Sequence, residues 1–233
     1  MNLDTARHQA IFDPLSFGDR QVDVVGVGAV GSRVVLELVR LGIRQIRVWD
    51  DDIVSGVNIA NQAFGMSDIG RLKVEAIRDL VRTTTGGNIV TRASRAPDGT
   101  PLGNVVFALP DTMAGRKAIY TSVKMTFATE RLFETRMGVD ELRVYSIDPN
   151  RDTDTRGYEA TLYEDGKAAQ VSPCGAPISV GATASVLAGM CVWALITWWA
   201  HAQGKNPTPP THETIMGLRT MFLLQRNFTP SGG

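Results

Sequence analysis

A glycine-rich turn, Gly26-Val27-Gly28-Ala29-Val30-Gly31, follows the apolar run Val22 to Val25 and precedes a helical run; the acidic cluster Asp50-Asp51-Asp52 closes the next apolar stretch. In such a strand-turn-helix unit the first glycine permits the tight turn, the second lets the backbone approach phosphate, and the third lets helix and strand pack closely. Phosphate then sits on the helix N-terminus, where unpaired N–H groups and the macrodipole favour negative charge. Asp50 follows Gly31 by 19 residues, close to the roughly 20 expected for a carboxylate that hydrogen-bonds a ribose hydroxyl. The turn therefore points to a nucleotide without naming it, and the residues after Asp52 must decide.

The first half of the chain alternates strand and helix patterns, which argues for a parallel sheet with crossover helices. Strands are expected at Val22 to Val27, Ile46 to Asp50, Asn88 to Arg92 and Val105 to Leu109. Apolar residues at helical spacing predict helices over Ser32 to Leu41 and Val74 to Arg82. Met125 to Ala128, Arg131 to Arg136 and Leu142 to Asp148 look like further strands of a mixed sheet. The expected architecture is one α/β domain over 1–233: a Rossmann-like, mostly parallel sheet continued by antiparallel strands, with helices on both faces. Residues 1–20 are expected to form a helical arm, 151–177 a crossover loop over the active face, and 178–201 a buried apolar helix. Met216 to Arg226 supplies a last structured element of undetermined type.

Composition removes several classes. The 24 basic and 24 acidic residues cancel, so no global basic field gathers nucleic acid. Cys174 and Cys191 are too few and too isolated for a disulfide scaffold or a structural zinc. The first 21 residues lack the apolar core of a secretory signal, which makes a cytoplasmic location the expectation. Ile178 to Ala200 carries no charge and approaches the roughly 20 residues a bilayer span needs. Ser179, Gly181, Thr183, Ser185, Gly189 and Thr197 dilute its hydrophobicity, however, which favours a buried helix over a membrane span. Trp193, Trp198 and Trp199 are then expected in the core or a dimer interface.

After the glycine turn the sequence supplies, in order, Asp50, Asp52, Val54, Asn58, Gln62, Asp68, Ile69, Gly70, Lys73, Asp111 and Arg116. This order resembles the ThiF/MoeB/HesA superfamily of adenylyltransferases, which includes the ubiquitin-activating enzymes. Motif support runs from about Arg7 to Arg116. The resemblance implies Mg·ATP-dependent activation of the C-terminal carboxylate of a small ubiquitin-like protein or peptide, as an acyl adenylate, with release of pyrophosphate. It implies ribose binding by Asp50, phosphate contacts from Asn58 and Lys73, Mg²⁺ on Asp111, and the backbone of Gly26, Gly28 and Gly31 along the nucleotide. Gln62 and Asp52 follow as a polar contact and a loop-ordering group. The chemistry suits these residue types. A carboxylate nucleophile is already ionised and needs no general base, whereas the phosphates need neutralising and a hard cation needs only one or two protein carboxylates.

The sequence also departs from the family pattern, because the arginine of Asn-x-x-Arg-Gln is Asn61 here. Asparagine hydrogen-bonds but supplies no charge. Arg7, in Arg7-His8-Gln9, resembles the family's N-terminal arginine, which reaches the partner subunit's ATP and implies a two-fold homodimer. Cys174 stands where family members that transfer acyl groups to sulfur keep a nucleophile, although its nearest basic neighbour is Lys167. Ser231-Gly232-Gly233 resembles the Gly-Gly tails such enzymes activate. Taken singly, Asp111 also suits a helix N-cap, Lys73 a surface lysine and Arg116 a helix-surface arginine. Two other classes fit the glycine turn: an NAD-dependent oxidoreductase, which leaves Asn58, Lys73 and Asp111 without roles, and a nonenzymatic nucleotide-binding partner subunit or scaffold.

Overall fold

The computed structural model describes residues 3–96, 99–165 and 180–229. Its centre is a pair of fully buried parallel strands, β1 (Val22–Val25) and β4 (Val105–Ala108). Outward from β1 lie β2 (Ile46–Trp49) and β3 (Val90–Arg92), both parallel to it. Beyond β4 lies β5 (Arg131–Met137), the last parallel strand. Then β6 (Glu141–Ile147), β7 (Glu213–Gly217) and β8 (Phe222–Arg226) continue the sheet antiparallel. The order is thus β3-β2-β1-β4-β5-β6-β7-β8, one continuous sheet of eight strands.

Side chains alternate across this sheet and divide the core in two. One face takes Val22, Val24, Val48 and Phe107 against α2 (Gly31–Arg40), α3 (Lys73–Thr85) and α6 (Gly181–Ala202), which follow α1 (Pro14–Phe17) in the chain. The other takes Val25, Trp49, Val106 and Tyr145 against α4 (Met113–Lys124) and α5 (Asp152–Glu159). Asp23 interrupts the apolar run of β1 and is fully buried. Four donors satisfy its carboxylate: Arg47 Nε at 2.6 Å and Nη2 at 2.9 Å, Trp49 Nε1 at 2.7 Å and Gly103 N–H at 2.7 Å. A buried carboxylate paired this completely costs far less than an unpaired one.

Several expectations need correction. Met125 to Ala128 is not a strand: Thr126 N–H donates to Val123 O and Thr129 N–H to Thr126 O, so the chain coils after α4 and leaves Met125 and Phe127 exposed. The stretch from 151 opens as α5 rather than as loop, with Asp152 and Asp154 in its first turn and an Asp152–Arg156 pair at 2.8 Å. Gly157 sits inside that helix because a Cβ there would lie 2.2 Å from the Phe228 ring. The N-terminal arm is turns over residues 6–11, and only Pro14–Phe17 is helical. The undetermined last element is the β7–β8 hairpin. By length and composition α6 is the one described helix able to cross a bilayer. One face of it, including Leu187, Cys191, Leu195, Trp198 and Trp199, is buried, while Val186 and Trp193 face solvent, so Trp193 does not fill the core.

Arg116 is likewise not a surface arginine. Its Nε donates to Glu134 Oε1 at 2.7 Å, and the fully buried Glu134 also accepts from Arg136 Nε at 3.0 Å and Tyr158 OH at 3.2 Å. Replacing Glu134 by Gln leaves the buried Arg116 and the half-buried Arg136 without their acid and is expected to cost about 3 kcal/mol in urea unfolding. A loss below about 1 kcal/mol would show that the arginines find other partners.

Candidate active site

Because β1, β2 and β4 run parallel, their carboxyl ends open on one edge of the sheet, and the chain reverses its winding between β1 and β4. Ligands of open α/β sheets bind in the crevice at such a switch point. The glycine turn lies there. Gly26 has φ +96, and a Cβ on it would stand 2.5 Å from Leu109 O at the end of β4. At Gly31 a Cβ would stand 1.9 Å from Gly26 O, so the turn folds tightly onto itself. A Cβ at Gly28 meets nothing within 4 Å, which leaves open space over the middle of the turn. Val30 gives α2 no side-chain cap. The N–H groups of Gly28, Ala29 and Val30 have no acceptor among the described residues. Open space and free donors fit an anionic ligand.

Asp50 ends β2 beside this turn. Its Oδ2 accepts from Val27 N–H at 2.7 Å and its Oδ1 from Asp52 N–H at 2.9 Å. Burial pushes its carboxyl above the usual aspartate range, against the pull of those N–H donors and of Lys73. Lys73, the first residue of α3, is buried and not a surface lysine; its Nζ pairs with Asp52 Oδ2 at 2.7 Å, and its N–H donates to Asp52 O at 2.9 Å. The loop between them is held by local bonds. Asn58 Oδ1 accepts from Ser55 N–H at 2.9 Å and Ser55 Oγ at 3.0 Å, and Asp68 caps Gly65 N–H at 2.9 Å. The Asn58 carbonyl is thus spent on the loop, and its amide nitrogen is the group left for a ligand. Asn61 Oδ1 and Gln62 Oε1 are buried without any partner. Such atoms suit a ligand donor, and turning either amide over presents an NH₂ instead.

Asp111 follows β4 by three residues and is exposed. The N-cap of α4 is its neighbour Thr112, whose Oγ1 accepts from Gly115 N–H at 3.1 Å. Asp165 takes the next two donors, Met113 N–H at 2.6 Å and Ala114 N–H at 2.9 Å, which hold its carboxyl below the usual range. With the helix end satisfied by others, Asp111 is not a cap, and no hydrogen bond or ion pair engages its carboxylate among the described residues. The oxygens of Asp50, Asp51 and Asp52 converge within 4.8 Å. Two of the three are already neutralised, however, Asp52 by Lys73 and Asp51 by Arg95 at 3.0 Å. Asp111 therefore fits a divalent cation better than the triad does, as a single carboxylate that leaves room for waters and phosphate oxygens.

Arg7 is not brought to this edge within the chain. It is exposed, and its neighbour Thr5 packs on Gly42 at the opposite, amino-terminal edge of the sheet. Cys174, Gly232 and Gly233 lie outside the described residues. Cys191 is fully buried, and burial pushes its thiol far up, as befits inert packing. Sequence reasoning missed Arg33 and Asp165. The signal for Arg33 was available: a cation in the first turn of a helix stands where acids are favoured.

A mostly parallel sheet whose switch point gathers the glycine turn, Asp50, Lys73 and Asp111 has the layout of a nucleotide-binding α/β protein. The chain belongs to the ThiF family, whose model matches residues 16–222. Among solved structures, Escherichia coli MccB with AMPCPP and MccA superposes with a TM-score of 0.71 at 16% identity, over 95% of this chain and 67% of that one. PaaA superposes with a TM-score of 0.70 at 18% identity, over 97% and 78%. These likenesses are of fold. Two curated relatives match short segments: tRNA threonylcarbamoyladenosine dehydratase 2 of Saccharomyces cerevisiae, 45% identical over 65 residues, and the uncharacterized protein y4qC of Sinorhizobium fredii, 33% identical over 66 residues. Each match covers 28% of this chain, but only 14% and 11% of the relatives' own lengths.

Proposed function

We propose that this chain is an ATP-dependent adenylyltransferase that activates the C-terminal carboxylate of a peptide or small ubiquitin-like protein. A carboxylate oxygen attacks the α-phosphorus, the bond from that phosphorus to the bridging oxygen of the β-phosphate breaks, and pyrophosphate leaves with the electron pair. The observation that carries the reading is Asp111: a carboxylate with no hydrogen bond or ion pair among the described residues, across the switch point from a turn whose Gly28, Ala29 and Val30 N–H groups lack acceptors there. In this reading Asp50 holds the ribose, the turn N–H groups and the Asn58 amide hold phosphate, Lys73 adds charge, and Asp52 fixes Lys73. Mg²⁺, held by Asp111, would supply charge neutralisation at the phosphates. Arg7 acts in this scheme only across a two-fold dimer, since its own arm lies at the other edge.

The structural neighbours support the reading, since MccB has been solved with ATP and with MccA. The yeast relative's name favours a second carboxylate, that of threonylcarbamoyladenosine in tRNA, and the chain's zero net charge weighs against it. A nonenzymatic nucleotide-binding partner remains the rival, to be separated by catalysis; an NAD-dependent oxidoreductase leaves the free Asp111 unexplained.

Calorimetry tests the ligand directly. Mg·ATP is expected to bind in preference to NAD⁺ and NADH, with loss of affinity when Mg²⁺ is chelated; tighter binding of NADH would defeat the reading. A pH series adds to this. Ionised Asp50 accepts the ribose hydroxyls, and its pKa is raised, so protonation and loss of adenosine affinity set in at a pH above the ordinary aspartate value of about 3.9 as the solution is acidified. In Asp50→Asn that acid limb is expected to vanish along with most of the affinity; an unchanged limb would assign it to another group.

A further inference from the structure

Several cations near the glycine turn are answered by acids. Lys73 pairs with Asp52, Arg95 with Asp51, and Arg71 with Asp68 and Asp79. Arg33 has no acidic partner among the described residues. Its Nη1 donates to Ala29 O, inside the glycine turn, at 2.6 Å and to Asn61 O at 2.7 Å, while Nε and Nη2 meet no acceptor. Two costs meet at this position. The side chain is partly buried, and that burial acts against its charge. It also stands in the first turn of α2, whose dipole presents positive charge to it. An anion seated on the turn would relieve both at once, and no acid among the described residues does so.

We propose that Arg33 is the side chain that neutralises the nucleotide's triphosphate, supplying from α2 the positive charge that the loop position Asn61 does not carry. Its two bonds to Ala29 O and Asn61 O fix the guanidinium between the glycine turn and the loop after β2, where Nη2 lies beside Gly181 at the start of α6 with no acceptor among the described residues. This role rests on the adenylating reading, because it requires a triphosphate and not merely a nucleoside. It also accounts for a site that keeps the family's glycine turn, lysine and aspartate while lacking the loop arginine.

The test measures binding, not turnover. Mg·ATP and adenosine are titrated by calorimetry into the full chain, its Arg33→Met variant, which keeps the apolar stem, and its Arg33→Lys variant, which keeps a charge. Thermal melting checks that each variant is folded. The methionine variant is expected to lose about 10–100-fold in Mg·ATP affinity, the range for removing a charge-assisted phosphate contact, with adenosine affinity within about threefold. The lysine variant is expected to recover a large part of the loss. Equal losses for ATP and adenosine would overturn the proposal, because they mark a strap that shapes the turn. Unchanged ATP affinity, or a lysine variant as weak as the methionine one, would overturn it too. Wild-type protein with no preference for ATP over adenosine would instead sink the adenylating reading, and Arg33's role with it.

Discussion

Replacing Asp111 by Ala is expected to abolish magnesium-dependent pyrophosphate exchange, by about 10²–10³-fold or more, while leaving the melting temperature where it was. Both halves follow from the same geometry. Among the described residues no hydrogen bond or ion pair uses the carboxylate: Thr112 and Asp165 satisfy the start of α4, and Asp111 itself is exposed. Truncation therefore removes no internal contact and opens no cavity. A divalent cation held by Asp111, by contrast, would lose its protein ligand and with it the charge neutralisation it would supply at the phosphates. Exchange at the wild-type rate in the Asp111→Ala variant would place the metal elsewhere, with the Asp50–Asp52 cluster next to be tried. A large fall in melting temperature would mean instead that Asp111 is structural.

The second large effect separates the glycines by what a methyl group would meet. At Gly31 the added carbon stands 1.9 Å from Gly26 O, a backbone atom that cannot swing away. Gly31→Ala should therefore cost more than about 4 kcal/mol in urea unfolding and remove nucleotide binding with the turn. Gly28→Ala should behave in the opposite manner, with wild-type stability, because its methyl group enters space free of protein to 4 Å. That space belongs to the ligand in this account, so Mg·ATP affinity should still fall about tenfold or more, 1.4 kcal/mol of lost contact. A Gly28→Ala protein that binds ATP normally would show that phosphate does not approach the turn there. A Gly31→Ala protein of normal stability would show that the turn can reopen.

Much of this was legible from local pattern. The strand-helix alternation of the first half survives because β1 and β4 are buried on both faces and so read as unbroken apolar runs, apart from Asp23. The placement of Asp50 and Lys73 at one edge follows from parallel strands sharing their carboxyl ends. What failed was non-local. Met125 to Ala128 has strand-favouring residues but turns back after α4, and α5 hid behind a glycine whose purpose is room for Phe228, far along the chain. Arg116 and Glu134 lie 18 residues apart, and only the meeting of α4 with β5 pairs them. Asp111 and Thr112 are equally good caps on paper, and the backbone chooses the threonine.

The most direct measurement is exchange of labelled pyrophosphate into ATP by the purified chain with Mg²⁺. It is run against peptides bearing free C-terminal carboxylates, including one ending in Gly-Gly, against the same peptides amidated, and against threonylcarbamoyladenosine. The account predicts exchange that depends on a free carboxylate and disappears with the amides. A protein that binds Mg·ATP yet exchanges no label with any of these carboxylates would contradict it, and would mark the chain as a nucleotide-binding partner rather than an adenylating enzyme.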